Sequence, residues 1–273
     1  MAQAFLQAPA PLVQARPCGG ADPMGASSGR GCRAACGGCW SGLHVLGAPT
    51  GKDDREGARP DDVGVVQQDE VPVGPLSLQI ETWPDYRIGS THWPSGRLLA
   101  RALAEGAAGL PEVRDRQVAE LGAGPGLPGL AAGKVGAASV AITDRIELVP
   151  LIAKNIALNG LEGVCRAEAL DWTQGWDSAL AVKVRAAAGI PPLDVILAAD
   201  VVYFEEQDPL VDALEALMAP GHTVLALAYR ERTLMDRSYL EDRILPLLEC
   251  PSRVDYEAPG HGATEIYVGR LRG

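Results

Sequence analysis

Asp200 closes the apolar run Val195-Ile196-Leu197-Ala198-Ala199, and Tyr203 follows in Asp200-Val201-Val202-Tyr203. An unpaired carboxylate at the end of a buried strand costs free energy unless something needs it. Asp200 and Tyr203 therefore read as a pair that faces a substrate, with Ala199 small enough to let a ligand come close. A second cluster lies earlier, where Val118-Ala119-Glu120-Leu121 runs into Gly122-Ala123-Gly124-Pro125-Gly126. Gly122 and Gly124 can take backbone angles closed to other residues, and Leu127, Leu130 and Ala131 restart at helical spacing. Strand, glycine turn and helix together make the start of a nucleotide-binding unit.

Two carboxylates bear on which nucleotide. Asp144 closes the next apolar run, Ser139-Val140-Ala141-Ile142-Thr143. It follows the glycines by about twenty residues, where an acid can hold ribose hydroxyls. Glu147, three positions on, also makes Asp144 a capping-box candidate, and one carboxylate has oxygens enough for both roles. A dehydrogenase would share Asp144 but has no need of Glu120. An acid at the strand end before G-x-G-x-G is typical of class I methyltransferases, whose cofactor carries an amine and has no pyrophosphate to cradle.

The elements that must position these residues follow in order. Leu76-Ser77-Leu78-Gln79-Ile80 alternates as a strand or hairpin arm. Pro94 can open a helix carrying Leu98, Leu99, Ala102 and Leu103 on one face, which holds Trp93 at its mouth, as pocket lining or as a core anchor. The segment from Asp144 to Gly160 reads as a helix, and Val164 to Ala169 as a strand leading into Leu170-Asp171-Trp172. There Trp172 can cover an adenine ring or simply pack, with Trp176 close by to share that task. A helix from Pro209 to Met218, a strand from Thr223 to Ala228 and a helix from Leu234 to Leu248 come next. Strands Ser252 to Tyr256 and Thr264 to Val268 make a closing hairpin, which adds an antiparallel strand to a parallel sheet. The expectation is an α/β fold, Rossmann-like, with a seven-stranded, mostly parallel sheet and helices on both faces.

The 273 residues, 47% hydrophobic and 22% charged, suffice for one or two ordinary globular domains. A net charge of −11 and a pI near 4.9 argue against a general nucleic-acid or anionic-membrane binder, which needs clustered Lys and Arg. Basic protein substrates would instead be attracted, weakly and in a salt-dependent way. No apolar run reaches the roughly 18 residues that cross a bilayer. Residues 1–75 are rich in Gly, Ala, Pro and Ser and read as a disordered leader, with the folded domain at 76–273. With one acid, Asp22, against Arg16, Arg30 and Arg33 in the first fifty residues, the leader suits an organellar transit peptide or a low-complexity tail with no address. Cys32, Cys36 and Cys39 have the spacing of the cluster motif of radical adenosylmethionine enzymes. They sit in a Gly/Ala tract ahead of any periodic sequence, and the cofactor loop belongs to another fold, so no metal centre is expected. Cys165 and Cys250 alone fall in the domain, so no disulfide framework is implied and a reducing compartment fits.

With these residues laid out, the chain from about Ile80 to Val268 resembles the seven-strand protein-lysine methyltransferases of the methyltransferase-like 21 family, within family 16. The resemblance rests on Trp93 ahead of a helix, Glu120-Leu121-Gly122-Ala123-Gly124, Ile142-Thr143-Asp144-Arg145, Asp171-Trp172, Ala199-Asp200-Val201-Val202-Tyr203 and the late strand Ile266-Tyr267-Val268. It implies that Trp93, Gly122, Ala123, Gly124, Asp144, Trp172 and Ala199 contact S-adenosylmethionine, to which the position of Glu120 adds a further contact. It also implies that Asp200 and Tyr203 form a D-x-x-Y substrate motif for methyl transfer to a lysine of a protein, chaperones and translation factors being among the family's targets. A cytoplasmic monomer is implied as well. The leader has no counterpart in the family pattern, and the insert 177–190 is a second departure. Base-amino methyltransferases carry Asp- or Asn-Pro-Pro-Tyr where this chain has Asp200-Val201-Val202-Tyr203, so it lacks the proline pair that presents a flipped base. Other side-chain or small-molecule acceptors, and a cofactor-binding protein without turnover, are the remaining alternatives.

Overall fold

Short strands with apolar side chains on both faces can be buried only between two layers, and that is the architecture here. The computed structural model describes residues 63–172, 192–203, 208–258 and 263–273. The leader cysteines, Trp176 and the 177–190 insert lie outside them. Along the chain come β1 (Gln67–Val73), β2 (Leu76–Thr82), α1 (Pro94–Glu105), β3 (Gln117–Leu121), α2 (Leu127–Val135), β4 (Ser139–Asp144), α3 (Val149–Leu158), β5 (Cys165–Ala169), β6 (Val195–Ala199), α4 (Asp208–Leu217), β7 (Val224–Arg230), α5 (Leu234–Tyr239), β8 (Leu248–Val254) and β9 (Thr264–Leu271).

β3 to β9 form one seven-stranded sheet in the order β5-β4-β3-β6-β7-β9-β8, and β1 and β2 form a separate hairpin. The five strands β5, β4, β3, β6 and β7 run parallel in four neighbouring pairs, whereas β9 enters antiparallel between β7 and β8. The order reverses between β3 and β4 on one side and β3 and β6 on the other, so the carboxyl ends of β3, β4 and β6 open onto one crevice.

Side-chain alternation assigns each strand residue to one of two cores. Val118, Val195, Leu197, Ala226 and Ala228 face α1, α2 and α3, where Leu98, Leu99, Leu127, Leu130, Ile152 and Ile156 meet them. Ala119, Leu121, Ile196, Ala198, Leu225, Leu227 and Tyr229 face Leu210, Val211, Leu214 and Leu217 of α4 on the other side. Alternate residues of each strand thus reach opposite layers, as the strand period requires.

Three local expectations change. β1 lies inside the stretch assigned to the leader: its Gln67-Gln68-Asp69-Glu70 half is exposed, and only Val71 and Val73 are buried. The segment read as one helix to Leu248 is α-helical only through Tyr239; a π turn (Leu240–Ile244) and a 3₁₀ turn containing Pro246 follow, since proline removes a backbone donor and collides with the preceding turn. β8 starts at Leu248, earlier than Ser252, and a register shift between Glu249 and Ser252 breaks its pairing. Cys250, at φ +45°, sits in that irregularity. Cys165 is a free, buried thiol, which burial pushes up to about 12 in pKa.

No helix among the described residues is long and apolar enough to cross a membrane. Among them there is also no group of three His, Cys, Asp or Glu side chains placed to hold a metal ion.

Candidate active site

A cleft of about 570 Å³ opens at the carboxyl ends of β3, β4 and β6. Trp93, Glu120, Gly122, Ala123, Gly124, Asp144, Trp172, Ala199, Asp200 and Tyr203 all line it, so every site residue named from the sequence is brought to one place.

The glycine turn is built by close contact. Gly122 and Gly124 have φ of +60° and +55°, a region that penalises side chains. A Cβ on Gly124 would lie 2.4 Å from the Gly89 carbonyl oxygen, and one on Gly122 would lie 2.8 Å from Val201 and 2.9 Å from the Trp172 ring. Gly122 thus presses against an aromatic ring and a substrate-side residue together.

Asp144 is not the helix cap that Glu147 suggested. The 3₁₀ turn after it (Ile146–Leu148) has Arg145 at its N-cap position. Asp144 instead accepts from the Gly124 amide through Oδ2 at 2.8 Å and from the Arg145 amide through Oδ1 at 2.7 Å. One carboxylate therefore ties the end of β4 to the glycine loop. Burial raises its pKa, and the two amide donors pull against that shift.

Glu120 is 1% exposed, and its Oε2 accepts from the Gly129 amide in the first turn of α2 at 2.8 Å. Burial pushes its pKa well up, with the neighbouring Asp144 charge adding to the shift. This contact discriminates between cofactors. A pyrophosphate is bound by the free amides at a helix N-terminus. Here α2 begins Leu127-Pro128-Gly129, so Pro128 has no amide hydrogen and Gly129 has given its own to a carboxylate. The residues fit a cationic, pyrophosphate-free nucleoside and oppose a dinucleotide. Trp172 adds a flat ring whose buried Nε1 has no partner among the described residues, a donor available to a ligand.

On the substrate side, Asp200 stands at φ +62°, a strained conformation for a residue with a side chain. It is held there by its own amide, which donates to the Ala228 carbonyl at 3.0 Å. Tyr203 is 38% exposed, and burial of its phenol raises its pKa above the ordinary value, so it is a neutral phenol at physiological pH. Trp93 caps α1 and is anchored by its Nε1, which donates to the Ile88 carbonyl at 3.3 Å. Gly96, one turn into α1, lets that helix settle against Ala199 and Pro128.

Among the lining residues that sequence reasoning did not name are His92 and Arg232. His92 has an Nδ1 that is buried without a partner among the described residues, and burial lowers its pKa, with Arg97 adding to the effect. Arg232 arrives from the loop after β7, and its Nη2 stands 2.8 Å from Asp200 Oδ1. This is an ion pair by distance, but its angles fall outside hydrogen-bond alignment, and both Asp200 oxygens lack an aligned donor among the described residues. The signal was present in Tyr229-Arg230-Glu231-Arg232, a charged run directly after a strand whose end borders that of β6.

Residues 74–243 match the lysine methyltransferase family. The chain is 31% identical over 166 residues to protein N-lysine methyltransferase METTL21A of Danio rerio, covering 59% of this chain and 70% of that protein. It is 30% identical over 170 residues to the Mus musculus protein of the same name, covering 60% and 71%. Among solved structures, a T. thermophilus 16S rRNA methyltransferase (RsmC) in complex with AdoMet and guanosine superposes with a TM-score of 0.55 at 19% identity, over 77% of this chain and 51% of that one. That likeness bears on the fold alone. With the glycine loop, the two carboxylates that flank it and the Asp200–Tyr203 pair gathered at one crevice, the chain belongs to the lysine methyltransferase family.

Proposed function

We propose that this protein transfers the methyl group of S-adenosylmethionine to the ε-amine of a lysine in a protein substrate. The observation that carries the reading is the juxtaposition, in one cleft, of a glycine turn closed to pyrophosphate with a buried, strained carboxylate and a phenol. When bound, S-adenosylmethionine supplies a methyl on a sulfonium, whose sulfur keeps the bonding pair when nitrogen takes the methyl.

The chain's own residues hold and aim. Gly122, Ala123 and Gly124 would let the nucleoside approach the main chain; Asp144 would hold its ribose, Trp172 its base and Glu120 its amino group, with Trp93 and Ala199 beside the reactive end. Asp200 attracts the incoming ammonium out of solution, where lysine has a pKa of about 10.4 and must lose a proton before it can react. The neutral Tyr203 hydroxyl would accept from one of the two N–H groups of the resulting amine and so turn the lone pair toward the methyl. Most of the rate then comes from orientation and the exclusion of water. A monomer acting in the cytoplasm on a chaperone or translation factor is the finer reading, and family resemblance supports it.

The test is incubation of the full chain with radiolabelled S-adenosylmethionine and cell lysate. A labelled protein band is expected, and Asp200→Ala should remove it while calorimetry still shows cofactor binding. Full labelling by that variant would overturn the assignment of Asp200. Cofactor binding with no labelled protein from the wild type would point to a non-catalytic binder or a different acceptor.

A further inference from the structure

We propose that Arg232 is a built-in occupant of the acceptor subsite, a cation of the chain's own that must leave before a substrate lysine can enter. The inference rests on the lysine-acceptor reading of Asp200, and it adds a residue and a gating step to it.

The geometry is that of a cation site already filled. The Asp200 side chain is 4% exposed, and Arg232 Nη2 lies 2.8 Å from it. The guanidinium carbon is 5.6 Å from the centroid of the Trp93 ring and 6.0 Å from that of Tyr203. A buried carboxylate and two aromatic rings are what a desolvated ammonium needs, the first for charge and the others for their negative faces. The same three groups cannot serve Arg232 and a lysine at once.

Arg232 also has somewhere to go. It lies in the short connection between β7 and α5, ahead of the Thr233 cap, and its side chain is one-third exposed. It borders the methyl-transfer cleft and a second, polar cleft lined by Glu231, Arg237, Tyr256 and Glu257. Arg237 is committed to Glu231 and Glu265. Glu257 is exposed and can receive the displaced guanidinium. The imperfect alignment of the Asp200–Arg232 pair fits a contact made to be broken, because a well-aligned, fork-shaped pair would hold its partner far more firmly.

The test needs no protein substrate. Wild type, Arg232→Ala, Arg232→Gln and Arg232→Lys are titrated with n-butylammonium, a lysine side chain without its backbone, following tryptophan fluorescence and calorimetry. Removal of the resident cation should tighten binding at least roughly ten-fold in both the Ala and Gln variants, the size of one desolvated cation–aromatic contact. Arg232→Lys should bind as weakly as wild type, since its ammonium fills the same place. Adding Asp200→Asn to Arg232→Ala should abolish the gain. The proposal is overturned if the Ala and Gln variants bind no better than wild type, or if the gain survives Asp200→Asn. Either variant alone suffices if the other does not fold. Because the readout is binding of a small cation, a negative result leaves the labelling experiment, and the methyltransferase reading, to stand on its own outcome.

Discussion

Gly124 is the residue with least freedom to change. Its φ is +55°, and an added Cβ would stand 2.4 Å from a backbone oxygen that cannot rotate away. Gly124→Ala should therefore lower stability by about 1–3 kcal/mol, the range for a strained backbone position, and weaken cofactor binding, because the loop and the Gly89 segment both line the cleft. Urea unfolding and calorimetry measure the two effects; wild-type values in both would mean that the loop relaxes without consequence. Glu120 poses the opposite case, a residue that costs stability. Burial holds its folded pKa well above the unfolded value, so between those values the folded state binds the extra proton, and stability falls as pH rises through that window. The penalty is fully present above the folded pKa and disappears below the unfolded one. Glu120→Gln keeps an oxygen for the Gly129 amide and removes the charge. It should raise the thermal midpoint at pH 8, leave it nearly unchanged at pH 4 and weaken cofactor affinity. An unchanged midpoint at both pH values would show that Glu120 carries no such penalty.

At the scale of elements, the hairpin is docked by side chains that imitate a strand. Asn155 on α3 accepts from the Glu81 amide at 2.7 Å and donates to the Glu81 carbonyl at 3.0 Å and to Pro125 O at 3.0 Å. One turn later Asn159 makes the same pair of bonds to Gln79, at 3.0 and 2.7 Å. The free edge of β2 is thereby satisfied, and Pro125 of the glycine turn is fixed to the same anchor. Asn155→Ala would leave buried backbone groups unpaired, so a loss on the order of 3 kcal/mol is expected, together with weaker cofactor binding through a loosened Pro125. Loss of stability with intact affinity would separate the docking role from the loop. None of this docking was legible beforehand: Asn159-Gly160 reads as a helix end, and only the fold reveals that Asn155 and Asn159 face a strand edge. β1 was hidden for a related reason, since its polar first half gives no alternation to detect. The glycine turn, the β6 end and the closing hairpin were legible because periodicity and turn chemistry are local. The charged run that holds Arg232 was legible, but its pairing was not, because its partner Asp200 follows a different strand, β6.

The whole molecule adds its field to these contacts. The chain carries a net charge of −11 and a cleft whose proposed work is to admit a cationic side chain, and an acidic balance raises encounter rates for basic partners while repelling polyanions. Two outcomes follow for the full chain. It should pass through heparin resin at low salt, where a base methyltransferase reaching nucleic acid through clustered Lys and Arg would be retained. Labelling of lysate proteins should also weaken between 0.1 M and 1 M salt, as the screening length contracts from about 10 Å to about 3 Å. Cofactor affinity should change far less over the same range, since those contacts form at short distance within the cleft. The comparison isolates the long-range contribution: a parallel fall in both would place the salt effect on the cleft itself. If labelling persisted undiminished at 1 M, substrate recognition would be assigned to close packing around Trp93 and Tyr203, with the acidic surface left to keep the chain in solution.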